Sequence, residues 1–290
     1  MYILNRELID CEDFGISIKS PSIRYGLLVF DAINVECIND TILIFRLNEH
    51  IERFLLSCKH LGLKTEQDEI SIREDCLNLI KNAKINKTMG LRLLAFYDKE
   101  ASFLTVKKAS IVIYLLDVQN MYLKNNDKLM ISDYQKCING MMPASIKTNA
   151  TYAYFRIAVQ KAIDCGFSDV IFLNTDGYVT ESSRSNIFII SENKVITPPI
   201  SSGVLKGITR DTIISIANNM HLVVEEKNIC RTELYDANAV FTTGTSLGIT
   251  KISQVDHVQY KTNELLEKII QEYKNIIKDE NNEWNTKVQK

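Results

Sequence analysis

The chain is short of the residues that punctuate or staple a fold. Its 290 residues include four prolines, eleven glycines and one tryptophan. No Gly/Ser-rich or Pro-rich linker interrupts it, and no segment repeats. No apolar run approaches the ~20 residues needed to span a bilayer. Charge of one sign is missing too. Lys and Arg number 34 against 36 Asp and Glu, a formal net charge of −2, so no global field favours nucleic acid or an anionic membrane. The four histidines, at 50, 60, 221 and 257, lack ligand spacing, and no metal site is expected. The seven cysteines, at 11, 37, 58, 76, 137, 165 and 230, are odd in number and form no CxxC pair. They read as reduced thiols, several of them core fillers. The opening MYILNRELIDCEDFG has early acidic residues and no apolar signal segment, so a cytoplasmic location is expected.

What is present is alternation between strand and helix patterns. TILIFRL (41–47) is β-rich, and NEHIERFLLSCKHLGL (48–63) changes to helical spacing. There Ile51, Phe54, Leu55, Cys58 and Leu61 form one apolar face, with Gly62 as the stop. ISIREDCLNLIKNAKI predicts a second amphipathic helix, and GLRLLAFYD and ASIVIYLLDV two buried strands. Residues 1–118 thus read as a small α/β domain, 119–130 as a polar interdomain crossing and 131–290 as a larger domain. In the larger domain, KLMISDY predicts a strand, and a helix follows Lys147. A strand cluster occupies 169–197, with hairpin turns at NTDGYV and SENKV. GITRDTIISIANNM and NELLEKIIQEYKNIIKD predict helices, and LVVEEKNI and NAVFTTGTSLGITKI predict strands. The last residues, ENNEWNTKVQK, are expected to fray.

Four places carry potential chemistry. In ASIKTNATYAYFRIAVQKAI, Lys147 stands between apolar Ile146 and the helix start at Thr148-Asn149. Alone it reads equally as a lysine that points to water, since buried unpaired lysine is rare. Yet a helix N-terminus suits a cation poorly, which hints at an anionic or covalent neighbour. Glu181 lies between two β runs and precedes Ser182-Ser183-Arg184-Ser185-Asn186. It is either an exposed carboxylate at a strand end or one held inward by small polar residues, with Asn186 fixing the loop. Gly207-Ile208-Thr209 opens a helix and reads as a capped terminus or an anion cradle. Thr243-Gly244-Thr245-Ser246 is a small-residue turn of the same kind, and neither is a P-loop.

The order of these four features resembles the fold-type IV pyridoxal-phosphate enzymes, the class IV aminotransferases. YGLLVFDAINV resembles the family's Tyr-Gly-x-x-Val-Phe-Glu-Gly stretch, and RLNEHIERFLLSCKHLGL its His-x-x-Arg-Leu-x-x-Ser helix. The resemblance runs from about residue 24 to residue 256. It implies an α+β fold, with a small α/β domain, a larger domain with a β-barrel-like core, and the cofactor pyridoxal 5′-phosphate between them. Lys147 would be the Schiff-base lysine, with its pKa depressed so that the amine is neutral. Glu181 would face the pyridine nitrogen and Tyr152 the phenolic oxygen. Arg53, backbone groups of Ile208 and Thr209, and the Thr245 hydroxyl would hold the phosphate. Asn186, Leu205, Gly207 and Gly244 would complete the cofactor shell.

The implied reaction is ping-pong transamination of an amino acid with 2-oxoglutarate, closest to the branched-chain L-amino acid enzymes, in a homodimer whose Tyr25 enters the neighbouring site. Tyr25, Phe30, Arg92, Tyr122, Thr245 and Ser246 match substrate positions. Departures concentrate there. Asp31-Ala32 stands for Glu-Gly, Asn34 for a common arginine, TSLG for Thr-Ala-Ala-Glu, and Lys206 for a proline; GLRLLAFYD lacks Ile-Arg-Pro-Leu. Alternatives of the same fold are a D-amino acid aminotransferase, with Arg24 of RYG and Arg92 on an α-carboxylate, and a 4-amino-4-deoxychorismate lyase. A non-catalytic homologue is the different-class rival, and joint retention of Lys147, Glu181 and Arg53 argues against it.

Overall fold

The structure is a computed structural model that describes residues 1–11, 13–104, 108–118, 127–136 and 142–289. The chain begins with β1 (Tyr2–Leu4), β2 (Glu7–Ile9), α1 (Pro21–Tyr25), β3 (Leu28–Ile38) and β4 (Thr41–Phe45). Next come α2 (Leu47–Leu61), α3 (Glu69–Asn82), β5 (Met89–Phe96), β6 (Ser110–Asp117) and β7 (Asp127–Ile131). The middle holds α4 (Ala150–Asp164), β8 (Asp169–Leu173), β9 (Val179–Ser182), β10 (Asn186–Ser191), β11 (Lys194–Thr197) and α5 (Ile208–Asn219). It ends with β12 (Val224–Glu226), α6 (Arg231–Tyr235), β13 (Ala239–Gly244), β14 (Gly248–Val255), β15 (Val258–Gln259), α7 (Glu264–Lys278) and β16 (Asn285–Gln289). These elements form two compact units. The first is Met1–Met121 with Ile146–Ala150 and Ile277–Lys290, and the second is Tyr122–Ser145 with Thr151–Ile276.

The first unit is built on a seven-stranded sheet in the order β16-β4-β3-β5-β6-β1-β2. Every pairing in it is antiparallel. Strand alternation splits it into two faces. Val29, Ile33, Val35, Leu91, Leu93 and Ala95 pack into one core with Ile51, Phe54 and Cys58 of α2 and Ile72, Cys76 and Leu79 of α3. The three- and four-residue spacing of α2 therefore does what its periodicity predicts, and Gly62, at φ 73°, ends the helix in the left-handed region where a side chain is strained. The other face carries Phe30 across from Leu94 and Ala32 across from Arg92.

In the second unit, β10, β13, β14, β7, β8 and β9 follow one another, and β9 pairs back to β10. Those six strands close a barrel, which removes its open edges. β11 and β12 extend beside β10. Both predicted hairpin turns are present. Asn174–Gly177 joins β8 to β9, and Glu192 and Asn193, both at positive φ, join β10 to β11 as a two-residue turn requires. The strand predicted over LVVEEKNI shrinks to Val224–Glu226, since only those three residues pair with β11. Among the described residues no helix is long and apolar enough to cross a membrane.

One expectation is overturned. The C-terminal residues do not fray: β16 pairs with β4 over five residues, and Val288 is 5% exposed within the core of the first unit. The cause is non-local, because the exposed side of β4 offers unpaired backbone groups that a polar five-residue tail can satisfy. Val288→Asp should therefore destabilise the folded protein by about 3 kcal/mol, through loss of apolar burial and a carboxylate forced into the core. Thermal melts of the two proteins check this, and equal melting temperatures would show that the tail is not docked in solution.

Candidate active site

The first unit gathers Lys147, Arg53, Phe30, Arg92 and Tyr25, each fixed by identifiable contacts. The segment around Lys147 is pinned alongside β3. Phe30 N–H donates to the Lys147 carbonyl at 3.2 Å, Val29 and Thr148 form an antiparallel bridge, and Thr148 Oγ1 donates to the Leu28 carbonyl at 2.6 Å. From α2, Ser57 Oγ accepts the Lys147 N–H at 3.2 Å while donating to the Arg53 carbonyl at 2.9 Å. The lysine is half-buried, and its Nζ lies 4.7 Å from the centroid of the Phe30 ring, on the face of an aromatic that attracts cations.

Arg53 is held by a residue that the sequence reading treated only as a departure from the family pattern. Asp31, 0% exposed, accepts from Arg53 Nε at 2.8 Å and Nη2 at 2.7 Å, from His50 Nδ1 at 2.8 Å and from the Ala32 N–H at 2.7 Å. Since a carboxylate only accepts, His50 Nδ1 carries the hydrogen. Burial alone would push the Asp31 carboxyl up. The neighbouring Arg53 charge and His50 outweigh burial and hold it well below the usual carboxylate range. Burial, helped by the charges of Arg53 and Lys147, pushes His50 down and keeps it neutral. Alternation on β3 explains the placement, since Asp31 falls on the face covered by α2. The only signal in the sequence was a charged residue inside an apolar strand pattern.

Arg92 is 8% exposed on β5, across from Ala32. Tyr25, at the end of α1, is 43% exposed, with the Arg24 guanidinium stacked on its ring and Phe103 meeting it edge to face. Tyr122 lies outside the described residues.

The second unit gathers Glu181, Asn186, Leu205, Gly207, Ile208 and Thr209. Glu181 lies at the end of β9, opposite Asn186 of β10. Its Oε2 accepts from Asn186 Nδ2 and from the Leu205 N–H, both at 3.0 Å. Asn186 Nδ2 also donates to the Leu205 carbonyl at 2.9 Å, so this asparagine ties the carboxylate to the loop before α5. A Cβ at position 207 would meet Asn186 Oδ1 at 2.0 Å, which requires glycine there. Gly207 caps α5 without a side-chain bond, and Ile208 and Thr209 form the first turn, both buried. Gly244 packs on Ser185, and the buried hydroxyls Ser185 Oγ and Thr243 Oγ1 have no hydrogen-bond partner among the described residues. Thr245 and Ser246, half-buried, follow in the β13–β14 turn. Tyr152 is half-buried on α4, edge to face with Phe155. The reading of the sequence missed Lys136, whose Nζ pairs with Glu181 Oε1.

Comparison with known proteins follows this geometry. The family model for amino-transferase class IV matches residues 28–255. A probable branched-chain-amino-acid aminotransferase of Aquifex aeolicus is 29% identical over 92% of this chain and 88% of its own. The branched-chain aminotransferase of Thermoproteus uzoniensis, solved with norvaline, is 30% identical with a TM-score of 0.94, covering 99% of this chain and 98% of that one. The branched-chain amino acid aminotransferase of Thermobaculum terrenum, solved in its PLP form, is 25% identical with a TM-score of 0.92, covering 100% and 98%.

The Asp31 network generates a pH-dependent expectation. A carboxyl held below its ordinary value contributes stability that is complete above the unfolded-state value of about 4 and is lost as pH falls below it. Asp31→Asn should cost about 3 kcal/mol near neutral pH by leaving Arg53 without its counter-ion. In melts taken at successively lower pH, the gap to wild type should close; a gap independent of pH would mean that the charge of Asp31 is not what matters.

Proposed function

The chain belongs to the class IV aminotransferases, and from that premise we propose that it transfers the amino group of a branched-chain L-amino acid to 2-oxoglutarate. The observation that carries the substrate reading is the sheet face bearing Phe30, whose ring centroid lies 4.7 Å from Lys147 Nζ. An apolar side chain suits that surface. The relatives' names support the same class.

The family implies pyridoxal phosphate, and the residues present fit it. Glu181 keeps a site for one more donor, the helix α5 opens at a glycine without a side-chain cap, and two buried hydroxyls flank Gly244. We assign Arg53, the Ile208 and Thr209 N–H groups and Thr245 to the phosphate. A dianion is well served by a guanidinium and helix N-terminal amides, and Arg53 would meet it already oriented by Asp31. Tyr152 is assigned to the phenolic oxygen, with Asn186, Leu205, Gly207 and Gly244 as supporting shell. When bound, the cofactor supplies an electron sink for the substrate Cα. Glu181 would hold a proton on the ring nitrogen. Lys147 Nζ would take the proton from the substrate Cα as base and, as acid, would give it up at the cofactor carbon that bears the imine rather than back at Cα. Thr245 and Ser246 N–H groups would orient the substrate carboxylate, Tyr25 and Phe30 would enclose the side chain, and Arg92 would receive the distal carboxylate of 2-oxoglutarate. Tyr122 is kept as a substrate contact on resemblance alone. The exposed Ile23, Tyr25 and Phe103 support a homodimer, and the free thiols support a cytoplasmic setting.

Three measurements test this. Borohydride reduction of the purified protein with cofactor should fix one cofactor mass on the Lys147 peptide and none in Lys147→Ala; a wild type that takes up no cofactor would refute the cofactor assignment. Glu181→Gln should retain cofactor yet slow turnover about 100-fold or more, the scale of losing one preorganised electrostatic partner. Loaded enzyme should then lose its visible absorbance with L-leucine and keep it with D-alanine and D-glutamate; reaction with either D-amino acid would replace the L-branched-chain reading.

A further inference from the structure

The second unit contains a cation that no role above uses. Lys136 follows β7, its backbone N–H donating to the Leu173 carbonyl at 2.8 Å at the end of β8. Its side chain is 14% exposed and passes over the Phe155 ring, with Nζ 5.8 Å from the centroid. It ends on Oε1 of Glu181, whose side chain is 8% exposed. Burying an ammonium and a carboxylate is tolerated when each is the other's partner. Here the pairing is also directional. Lys136 takes Oε1, while Asn186 and the Leu205 N–H take Oε2.

A carboxylate offers about four acceptor positions, and among the described residues Glu181 has three donors. We propose that Lys136 is a positioning residue for Glu181: it holds the carboxylate rotated so that its one remaining acceptor position faces the ring nitrogen of the cofactor, and its charge sets how strongly the bound cofactor retains its protons. This rests on the role assigned to Glu181 above. Without Lys136, Oε1 has no fixed direction and the buried charge is uncompensated. With it, a second cation shares the carboxylate, so protonated forms of the bound cofactor are held less tightly than by a lone glutamate.

The test has a cofactor-free arm and a spectroscopic arm. In the apoprotein, Lys136→Met should lower the melting temperature by about 5 °C or more, the scale of a broken buried pair in a chain of this size. Adding Glu181→Gln should recover much of that loss, because no carboxylate is then left unpaired. Losses that simply add mean no coupling and overturn the proposal, whether or not cofactor binds. In cofactor-loaded protein, the pH midpoint of the visible absorbance change should rise by about one unit in Lys136→Met, since a neighbouring positive charge is removed. Lys136→Arg should return it to wild type, which a purely structural role does not predict. Should the Met variant fail to fold, Lys136→Gln takes its place. An unchanged midpoint in a folded variant overturns the proposal. A wild type that binds no cofactor refutes the functional reading instead, and the apoprotein cycle still decides the pairing.

Discussion

A carboxylate with no access to water must be met by donors, and the first unit is organised around that requirement. Asp31 sits beneath α2 and receives four hydrogen bonds, two from the Arg53 guanidinium, one from His50 and one from the Ala32 amide. Three of them converge on Oδ1 and one reaches Oδ2. Arg53 is thereby fixed in direction, and so is the turn of α2 that bears it. The same turn presents Ser57, which joins the Arg53 carbonyl to the backbone of Lys147. A single ion pair under a strand thus sets where the Lys147 side chain begins its reach.

Glu181 solves a similar problem with a different remainder. It too is buried and has a cation on one oxygen, but its donors number three. The contrast lies in the donors. Among the described residues Asp31 is met by an arginine fork, a histidine and a backbone amide, and Glu181 by a lysine, an asparagine and a backbone amide. The glycine at 207 belongs to the same logic, because Asn186 can reach Glu181 only if the backbone beside it carries no Cβ.

Local patterns were legible in the sequence. The apolar face of α2, its glycine stop and both hairpins follow from periodicity and turn chemistry, and the order of Lys147, Glu181, Gly207 and Thr245 carried the family resemblance. What escaped is what depends on distant pairing. β16 is short and polar, and nothing within NTKVQ announces that β4 awaits it. His50 reads as one of several polar residues on a helix until the strand beneath it supplies Asp31. Lys136 lies in a turn-rich stretch 45 residues from Glu181, and a lysine there is compositionally ordinary. Partner identity, not element identity, was the missing information.

The dipeptide Asp31-Ala32 shows why the departures from the family pattern must be weighed one residue at a time. Neighbours on a strand project to opposite faces. Asp31 points under α2 and holds Arg53 with a shorter arm than the glutamate of the family pattern would. Ala32 points the other way, across from Arg92, and replaces a hydrogen with a methyl group on the face that carries Phe30. One change falls on the charge network around Arg53 and the other on the opposite face of the sheet, although they are adjacent in sequence. The charge network tolerates its change because the four bonds to Asp31 still close. The Ala32 methyl can make no such bonds. The two departures are therefore constrained differently, Asp31 by the donors that surround it and Ala32 by the packing of the face it shares with Phe30.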